Sequence, residues 1–174
     1  TAPRRTLSRS PEIASFTVSW CSGPTIASHT VPASTPCEGP GPATPVVETA
    51  QDAANAIGVS LGQIVKSLVF AVDGEIVMAF VSGANQLDEK KLAQAAGGLK
   101  CSRVDADAVR EATGFPIGGV PPLGLATQLR IFIDPDLMQY DEVWAAAGTW
   151  NDVFAVSPRE LATATAGVVV DLRR

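Results

Sequence analysis

The sequence contains few of the side chains that most often bind metals or act as nucleophiles. Its 174 residues include three cysteines, Cys21, Cys37 and Cys101, with no CxxC pair, and one histidine, His29. A zinc site needs about four N, S or O ligands, and any Ser-His or Cys-His catalytic pair would have to use His29. We therefore expect no metal and no other cofactor, and we expect reduced thiols in a cytoplasmic protein.

Long hydrophobic runs and an excess of positive charge are also missing. Thirteen Lys and Arg against 18 Asp and Glu give a formal net charge of −5, so any RNA contact has to be local. No apolar stretch approaches the roughly 18 residues of a membrane-spanning helix, and the N-terminus lacks the apolar region of a signal peptide. These absences predict a cytoplasmic protein with no membrane partner.

The character of the sequence changes near residue 45. Residues 1–45 hold eight of the 13 prolines and 14 Ser or Thr, a composition typical of irregular or extended chain. One weak alternation at residues 13–20 suggests an edge strand. From residue 46 the pattern is that of a compact α+β domain. We therefore predict a Pro/Ser/Thr-rich N-terminal segment, 1–45, and one folded domain, 46–174.

Capping and turn residues divide this domain into helices and strands. Thr49 and Gly58 have the types expected at the start and end of a first helix, and Asp73-Gly74 predicts a tight hairpin between strands at 63–72 and 75–81. Ser157 begins a predicted capping box. Other helices are predicted at 87–96 and 105–113, and other strands at 100–104, 129–134, 142–147, 153–156 and 168–172.

Lys66 is the first candidate for chemistry because it lies on the apolar face of a predicted strand. A period of two residues places it on one face with Ile64, Leu68 and Phe70. Such a lysine either extends to water at a sheet edge or stands in a pocket, where its charge meets an anionic or carbonyl-bearing ligand. The pattern alone favours the edge. Ser82 and Gly83 end the partner strand and are candidates to line the same pocket.

The second candidate is a loop rich in glycine and proline, at residues 114–124. Its adjacent Gly118 and Gly119 allow backbone to approach a ligand, with N–H groups directed at an oxyanion or a carboxylate. Pro121 and Pro122 stiffen the loop and provide an apolar wall. The alternative is a rigid connector between a helix and a strand.

Other polar and aromatic residues are better explained by structural roles. Asp134 and Asp136 follow a predicted strand, and the pattern favours local capping by Asp134 over a carboxylate pair for acid–base chemistry. Trp144 and Trp150 are expected to pack in the core and in a hairpin rather than to stack on nucleic-acid bases.

Four motifs in order make the chain resemble a known family. They are Thr49-Ala-x-x-Ala-Ala-x-x-x-Gly58, Gln63-Ile-Val-Lys66-Ser67-Leu-Val-Phe70, Asp88-x-Lys90-Lys91-Leu92, and Thr113-Gly-Phe-x-Ile-Gly118-Gly-Val-Pro-Pro122-x-Gly124. The match runs from about residue 46 to 172. It resembles the YbaK/EbsC family, relatives of the editing domain inserted in bacterial prolyl-tRNA synthetases. The resemblance implies an α+β fold with a mixed, largely antiparallel sheet or barrel-like core surrounded by helices.

The same resemblance implies a free-standing aminoacyl-tRNA deacylase. Such an enzyme hydrolyses the ester between a wrong amino acid, here a small one such as Ala, Ser or Cys, and the terminal ribose of tRNA(Pro) or a similar tRNA. No protein nucleophile is implied, because the ribose hydroxyl of the substrate, or the thiol of a cysteinyl substrate, is thought to assist. The implied partners are the aminoacyl-tRNA 3′ end and an aminoacyl-tRNA synthetase.

The resemblance also assigns site residues. Lys66 matches the family's essential lysine, and the loop at 118–122 matches its GxxxP motif. The implied catalytic residues are Lys66, Gly118 and Gly119. The residues implied to bind substrate are Ser67, Ser82, Gly83, Val120, Pro121, Pro122, Gly124 and Asn151.

Three departures from the family pattern support a second interpretation. Leu125 and Asn151 stand where many relatives have histidine, and residues 1–45 do not resemble the usual first helix and strand. These departures leave the amino acid specificity open. The alternative is a non-catalytic module of the same fold that binds a tRNA end or a nucleotide, and it predicts binding without turnover.

Overall fold

The computed structural model describes residues 49–174, so the strand expected at residues 13–20, two of the cysteines and the histidine lie outside the described residues. The described part is an α+β fold with a mixed, mostly antiparallel sheet, as predicted. Its helices are α1 (Ala50–Ile57), α2 (Glu89–Ala95), α3 (Ala106–Thr113) and α4 (Pro158–Thr165), with short 3-10 segments at Leu61–Gln63 and Pro135–Gln139. Its strands are β1 (Val65–Val72), β2 (Glu75–Ser82), β3 (Cys101–Arg103), β4 (Arg130–Ile133), β5 (Val143–Ala146), β6 (Val153–Val156) and β7 (Val168–Val169).

Local capping chemistry sets the start of three helices. Thr49 and Asp52 form a reciprocal capping box at α1, in which the Asp52 N–H donates to Thr49 Oγ1 at 3.2 Å and the Thr49 N–H to Asp52 Oδ2 at 3.0 Å. Asp88 and Asp105 accept backbone N–H groups at the starts of α2 and α3. The capping box predicted at α4 is wrong, because the Ser157 side chain makes no capping hydrogen bond. The proline at the first position and the buried Leu161 set that helix instead.

The main sheet has the strand order β3-β1-β2-β4-β7. β1 and β2 are antiparallel along their full length, and the predicted turn between them is confirmed, with Asp73 at φ 48° and Gly74 at φ 94°. β4 pairs in parallel with β2 and with β7. β7 is shorter than the predicted strand at 168–172, because its partner β4 ends at Ile133 and the pairing stops at Val169.

Two hydrophobic clusters lie on the two faces of this sheet. Alternation along β1 sends Val65 and Val69 to the first cluster and Leu68 and Phe70 to the second. The first cluster also contains Met78, Phe80, Val120, Ile133 and Val143, and the second contains Val77, Ala79, Val81, Leu92, Phe132 and Leu172. Lys66 belongs by alternation to the second face, and Ser67 to the first.

The second sheet, the antiparallel pair β5-β6, adjoins the start of β1 through a bridge between Ile64 and Trp144. β3 pairs with β1 at its other end, from Phe70 to Val72. Among residues 49–174, the part of β1 between these two contacts has no strand partner on that edge. Lys66 and Ser67 lie in this open stretch.

Within the described residues, no helix has the length and apolar character needed to cross a membrane. Cys101 is a free thiol, and burial raises its pKa.

Candidate active site

Lys66 turns its ammonium from β1 onto the loop that follows β2. Its Nζ donates to the backbone carbonyl of Gly83 at 3.3 Å and to that of Asn85. Burial lowers the pKa of Lys66, and the negative charge of Asp134 opposes that shift. The position of the lysine is therefore intermediate between the two that the pattern left open, extension to water at a sheet edge and enclosure in a pocket. It is half-buried on the apolar face, and its charge meets backbone carbonyls rather than open water.

Gly83 lies beside Lys66, as expected from the hairpin, whereas Ser82 pairs with Val65, so that alternation places the Ser82 side chain on the opposite face from Lys66. The Ser82 hydroxyl is buried and donates to the Gly62 carbonyl at 2.8 Å, and the Gly83 N–H donates to the Ile64 carbonyl at 2.7 Å. A Cβ on Gly83 would lie 2.2 Å from the carbonyl oxygen of Leu61. Only glycine therefore allows the chain to pass here and present its own carbonyl to the lysine.

Asp134 is buried directly behind the lysine. Its Oδ1 accepts the Asp136 N–H at 3.0 Å, which confirms the predicted local cap. Its Oδ2 accepts the Ser82 N–H at 3.3 Å and Asn85 Nδ2 at 2.7 Å. The carboxylate is therefore saturated with donors, and it supplies a fixed negative charge to the lysine environment.

Ser67 follows Lys66 and points to the opposite face of β1. Its hydroxyl oxygen is buried and has no hydrogen-bond partner among residues 49–174. The neighbouring side chains on that face, Val65 and Val69, pack in the same cluster as Val120 of the glycine-rich loop. A buried hydroxyl without a partner is rare, because the lost hydration costs about 1–3 kcal/mol.

The glycine-rich loop is held against the β5-β6 hairpin. Gly118 is at φ 90°, and the indole Nε1 of Trp150 donates to the Ile117 carbonyl at 2.8 Å. The Gly119 N–H is engaged in a turn with the Pro116 carbonyl at 3.1 Å. Among residues 49–174, the N–H groups of Gly118 and Val120 have no partner. These two groups are the unpaired N–H donors of the loop, at an exposed residue, Gly118, and a buried one, Val120.

The other predicted substrate-binding residues of the loop and of the hairpin differ in their exposure to solvent. Val120, Pro121 and Pro122 are buried, whereas Gly124 and Asn151 are exposed. The predicted apolar wall is therefore packed against the protein, and the exposed pair lies at the surface of the loop and of the hairpin.

A family profile described as "Aminoacyl-tRNA editing domain" matches residues 44–164. The chain belongs to this family. It is similar to the uncharacterized protein YwhH of Bacillus subtilis, with 37% identity over 114 residues, 65% of this chain and 72% of YwhH. It is 36% identical over 110 residues to a proline–tRNA ligase of Maridesulfovibrio salexigens, which is 63% of this chain and 19% of the ligase. The chain thus spans about a fifth of the ligase.

Among solved structures, the editing domain resembles one described as a candidate trans-editing enzyme for prolyl tRNA synthetase. The TM-score is 0.72 and the identity 44%, and the match covers 75% of this chain and 83% of the other. The resemblance inferred from the four motifs is therefore confirmed at the level of family and fold.

The candidate residues of this editing domain fall into two groups on either side of β1. Lys66, Gly83 and Asn85 form the first group. Ser67 and the loop at 118–122 form the second, and among the described residues Lys66 makes no hydrogen bond to that loop. The two groups meet at the strand itself, because Lys66 and Ser67 are consecutive residues of the open stretch of β1.

The sequence interpretation and the structure agree on the two tryptophans. Trp144 is buried, and Trp150 lies in the hairpin with its indole bonded to the Ile117 carbonyl, although the residue is 64% exposed at the hairpin tip. Asn85 was not singled out at all. Its position three residues beyond Ser82, at the end of a strand, was the available signal for a residue that faces the same pocket.

Proposed function

We propose that this editing domain is a deacylase that hydrolyses the ester joining a wrong, small amino acid to the 3′ end of a tRNA, with tRNA(Pro) as the first candidate. The observation that carries the proposal is the open stretch of β1. There, among the residues that the structure describes, a half-buried ammonium and a buried hydroxyl without a hydrogen-bond partner occupy consecutive positions, close to a loop with two unpaired N–H donors. Family membership and the similarity to proline–tRNA ligases support the choice of substrate.

The chemistry requires positioning and charge stabilisation rather than a protein nucleophile. A water oxygen forms a bond to the ester carbonyl carbon, the carbonyl oxygen becomes an oxyanion, and the bond to the ribose oxygen then breaks. The ribose oxygen leaves with a proton, and the free amino acid is released. The Gly118 and Val120 N–H groups are suited to stabilise the oxyanion. Gly119, whose N–H is already engaged, shapes the loop by packing against the hairpin.

Lys66 is proposed to bind the terminal adenosine and the ester region of the substrate. Its ammonium has three donors, two of which are used by the Gly83 and Asn85 carbonyls. The third donor and the positive charge remain to bind an oxygen of the substrate. Ser67 is proposed to supply a hydroxyl partner on the other side of the strand.

The proposal extends to partners and context. The net charge of −5 implies that the domain binds the tRNA end locally, and an aminoacyl-tRNA synthetase is the proposed macromolecular partner. We propose a cytoplasmic protein in which residues 46–174 form the editing domain and residues 1–45 a separate segment. The family match beginning at residue 44 supports this division.

Deacylation of Ala-, Ser-, Cys- and Pro-tRNA(Pro) tests the proposal, with wild type, Lys66→Ala and Lys90→Ala measured in parallel. Lys90 is the matched control because it is an exposed lysine on α2, and its side chain has no hydrogen bond to the described residues. We expect hydrolysis of at least one mischarged tRNA, lost in Lys66→Ala and kept in Lys90→Ala. Full activity of a folded Lys66→Ala variant would refute the proposed mechanism.

Two observations favour a second candidate function. The Lys66 ammonium is already bound to two protein carbonyls, and Leu125 and Asn151 stand where many relatives have histidine. A non-catalytic module that binds a tRNA end would fit both facts. Saturable tRNA binding with unchanged ester decay across the four substrates would support it over the deacylase.

A further inference from the structure

Asn85 connects the lysine to two carboxylates, the buried Asp134 and the partly exposed Asp136. Its backbone carbonyl accepts from Lys66 Nζ, while its side-chain Nδ2 donates to Asp134 Oδ2 at 2.7 Å and to Asp136 Oδ2 at 2.8 Å. We propose that Asn85 is a positioning residue, which orients the Lys66 ammonium for substrate. This inference rests on the proposed function for its consequence in catalysis, but the positioning itself is a property of the free protein.

The amide orientation at Asn85 is determined by its neighbours. An amide nitrogen has two hydrogens, and here each has a carboxylate oxygen within hydrogen-bond distance. The opposite orientation would direct the amide oxygen at two carboxylates and would be repulsive. The Asn85 N–H also donates to the Ser82 carbonyl at 2.9 Å. Side chain and backbone are therefore both fixed, and so is the direction of the carbonyl that binds Lys66.

The two carboxylates that hold Asn85 are themselves held. Asp134 is fully buried and accepts two backbone N–H groups besides the amide. Asp136 is bound by Arg173, whose Nη1 lies 3.0 Å from Oδ1 and 3.2 Å from Oδ2. Asn85 therefore links the lysine to two anchored carboxylates that directly follow the end of β4.

The loop of Asn85 is also fixed by contacts that do not involve its side chain. The Gly83 N–H donates to Ile64, the Asp88 N–H donates to the Leu172 carbonyl at 2.7 Å, and the Arg174 N–H to the Gln86 carbonyl at 3.0 Å. Removing the Asn85 side-chain amide should therefore leave the loop in place, but the Asn85 backbone carbonyl should no longer be held in one direction. This separates a positioning role from a purely structural one.

The test uses Asn85→Ala, with Asn55→Ala as control because Asn55 is exposed on α1. The chain has four lysines, at positions 66, 90, 91 and 100, so ¹³C-lysine labelling gives four Cε–Hε signals, and Lys66→Arg identifies the signal of interest. In Asn85→Ala we expect the Lys66 signal alone to shift and to become mobile. We also expect kcat on the best mischarged tRNA to fall tenfold or more, since small misplacements in an active site have effects of this order, with KM changing little.

The outcomes separate the two claims. A lower melting temperature with an unchanged Lys66 signal and unchanged kcat would overturn the positioning role. If the wild type hydrolyses no substrate, the proposed function fails, and the Lys66 signal still decides whether Asn85 positions the lysine. If Asn85→Ala does not fold, Asp136→Ala replaces it, because this variant removes one acceptor from a partly exposed side chain and leaves Asp134 intact. The same Lys66 shift is expected, and its absence would refute the inference.

Discussion

Lys66 and Asp134 lie on one face of the sheet, on either side of Val81, and both are bound to Asn85. Lys66 pairs with Val81 in the β1-β2 register, while the Asp134 N–H donates to the Phe80 carbonyl on the other edge of β2. The carboxylate opposes the fall in the lysine pKa that burial causes. Asp134 therefore favours the charged form of the Lys66 ammonium, which the proposed chemistry uses.

Replacing Asp134 with Asn should move the pH range in which the lysine is charged. Burial already lowers the pKa of Lys66, and removing the neighbouring negative charge should lower it further. Asp136 is the other carboxylate bound to Asn85, and it stays paired with Arg173. The measurement is the pH profile of deacylation, corrected for spontaneous ester hydrolysis. As the pH is raised, the activity of Asp134→Asn should begin to fall at a lower pH than the activity of the wild type.

The control for that experiment is Asp107→Asn, an exposed carboxylate in the first turn of α3. It should leave the alkaline fall where the wild type has it. Coincident profiles of Asp134→Asn and wild type would show that Asp134 does not act on the lysine.

Ser67→Ala should separate stability from activity. The Ser67 hydroxyl is buried without a partner in the described part of the chain, so removing it should leave the free energy of unfolding unchanged or raise it by up to about 1 kcal/mol. If the hydroxyl binds substrate, kcat/KM should fall by about tenfold, equivalent to roughly 1.4 kcal/mol. Urea unfolding and deacylation kinetics measure the two effects. Ser102→Ala, an exposed serine on β3, is the control, and equal activity of both variants would count against a substrate contact.

Gly83→Ala should damage both the fold and the site. The added Cβ would meet the Leu61 carbonyl oxygen at 2.2 Å and the Leu61 Cδ1 at 3.0 Å, and the loop would have to move at a cost of about 1–3 kcal/mol. Gly58→Ala is the comparison, because a Cβ on Gly58 would have no atom within 4 Å. This variant adds only the backbone strain of φ +83°, which costs about 1 kcal/mol of stability. Urea unfolding should rank Gly83→Ala as the more damaging. The reverse order would mean that the loop at 83–85 relaxes freely.

Gly118→Ala should reduce turnover with a small effect on stability. Gly118 is exposed at φ +90°, a backbone conformation that residues with a side chain rarely adopt. A Cβ there would make only an ordinary van der Waals contact, at 3.4 Å, with the Trp150 indole. The backbone strain should therefore shift the loop and misdirect the N–H groups of Gly118 and Val120. Removal of one oxyanion donor typically costs about 10²–10³ in kcat. Gly97→Ala has a similar φ of +76° with nothing within 4 Å and should retain full activity. If both variants turn over at the wild-type rate, the loop is not the oxyanion site.

The secondary structure was largely predictable because its signals act within a few residues. The Thr49–Asp52 box, the Asp105 cap and the Asp73-Gly74 turn each join residues no more than three positions apart, and all are present in the fold. Ser157 is the exception, because its hydroxyl does not cap α4. The start of that helix depends instead on Pro158 and on the burial of Leu161. Trp150 lies in the predicted hairpin, but its bond to Ile117, 33 residues away, depends on the tertiary structure.

By itself, the sequence determined the helices, the central hairpin, the family and the choice of Lys66 and the glycine-rich loop as candidates. Only the tertiary structure decided what those residues contact. Asn85 meets Asp134 across 49 residues of sequence, and Lys66 meets the Asn85 carbonyl across 19. These contacts depend on the register of β1 with β2 and of β2 with β4. Strand registers are set by packing on both faces of the whole sheet, and no local pattern at Asn85 or Ser67 carries that information.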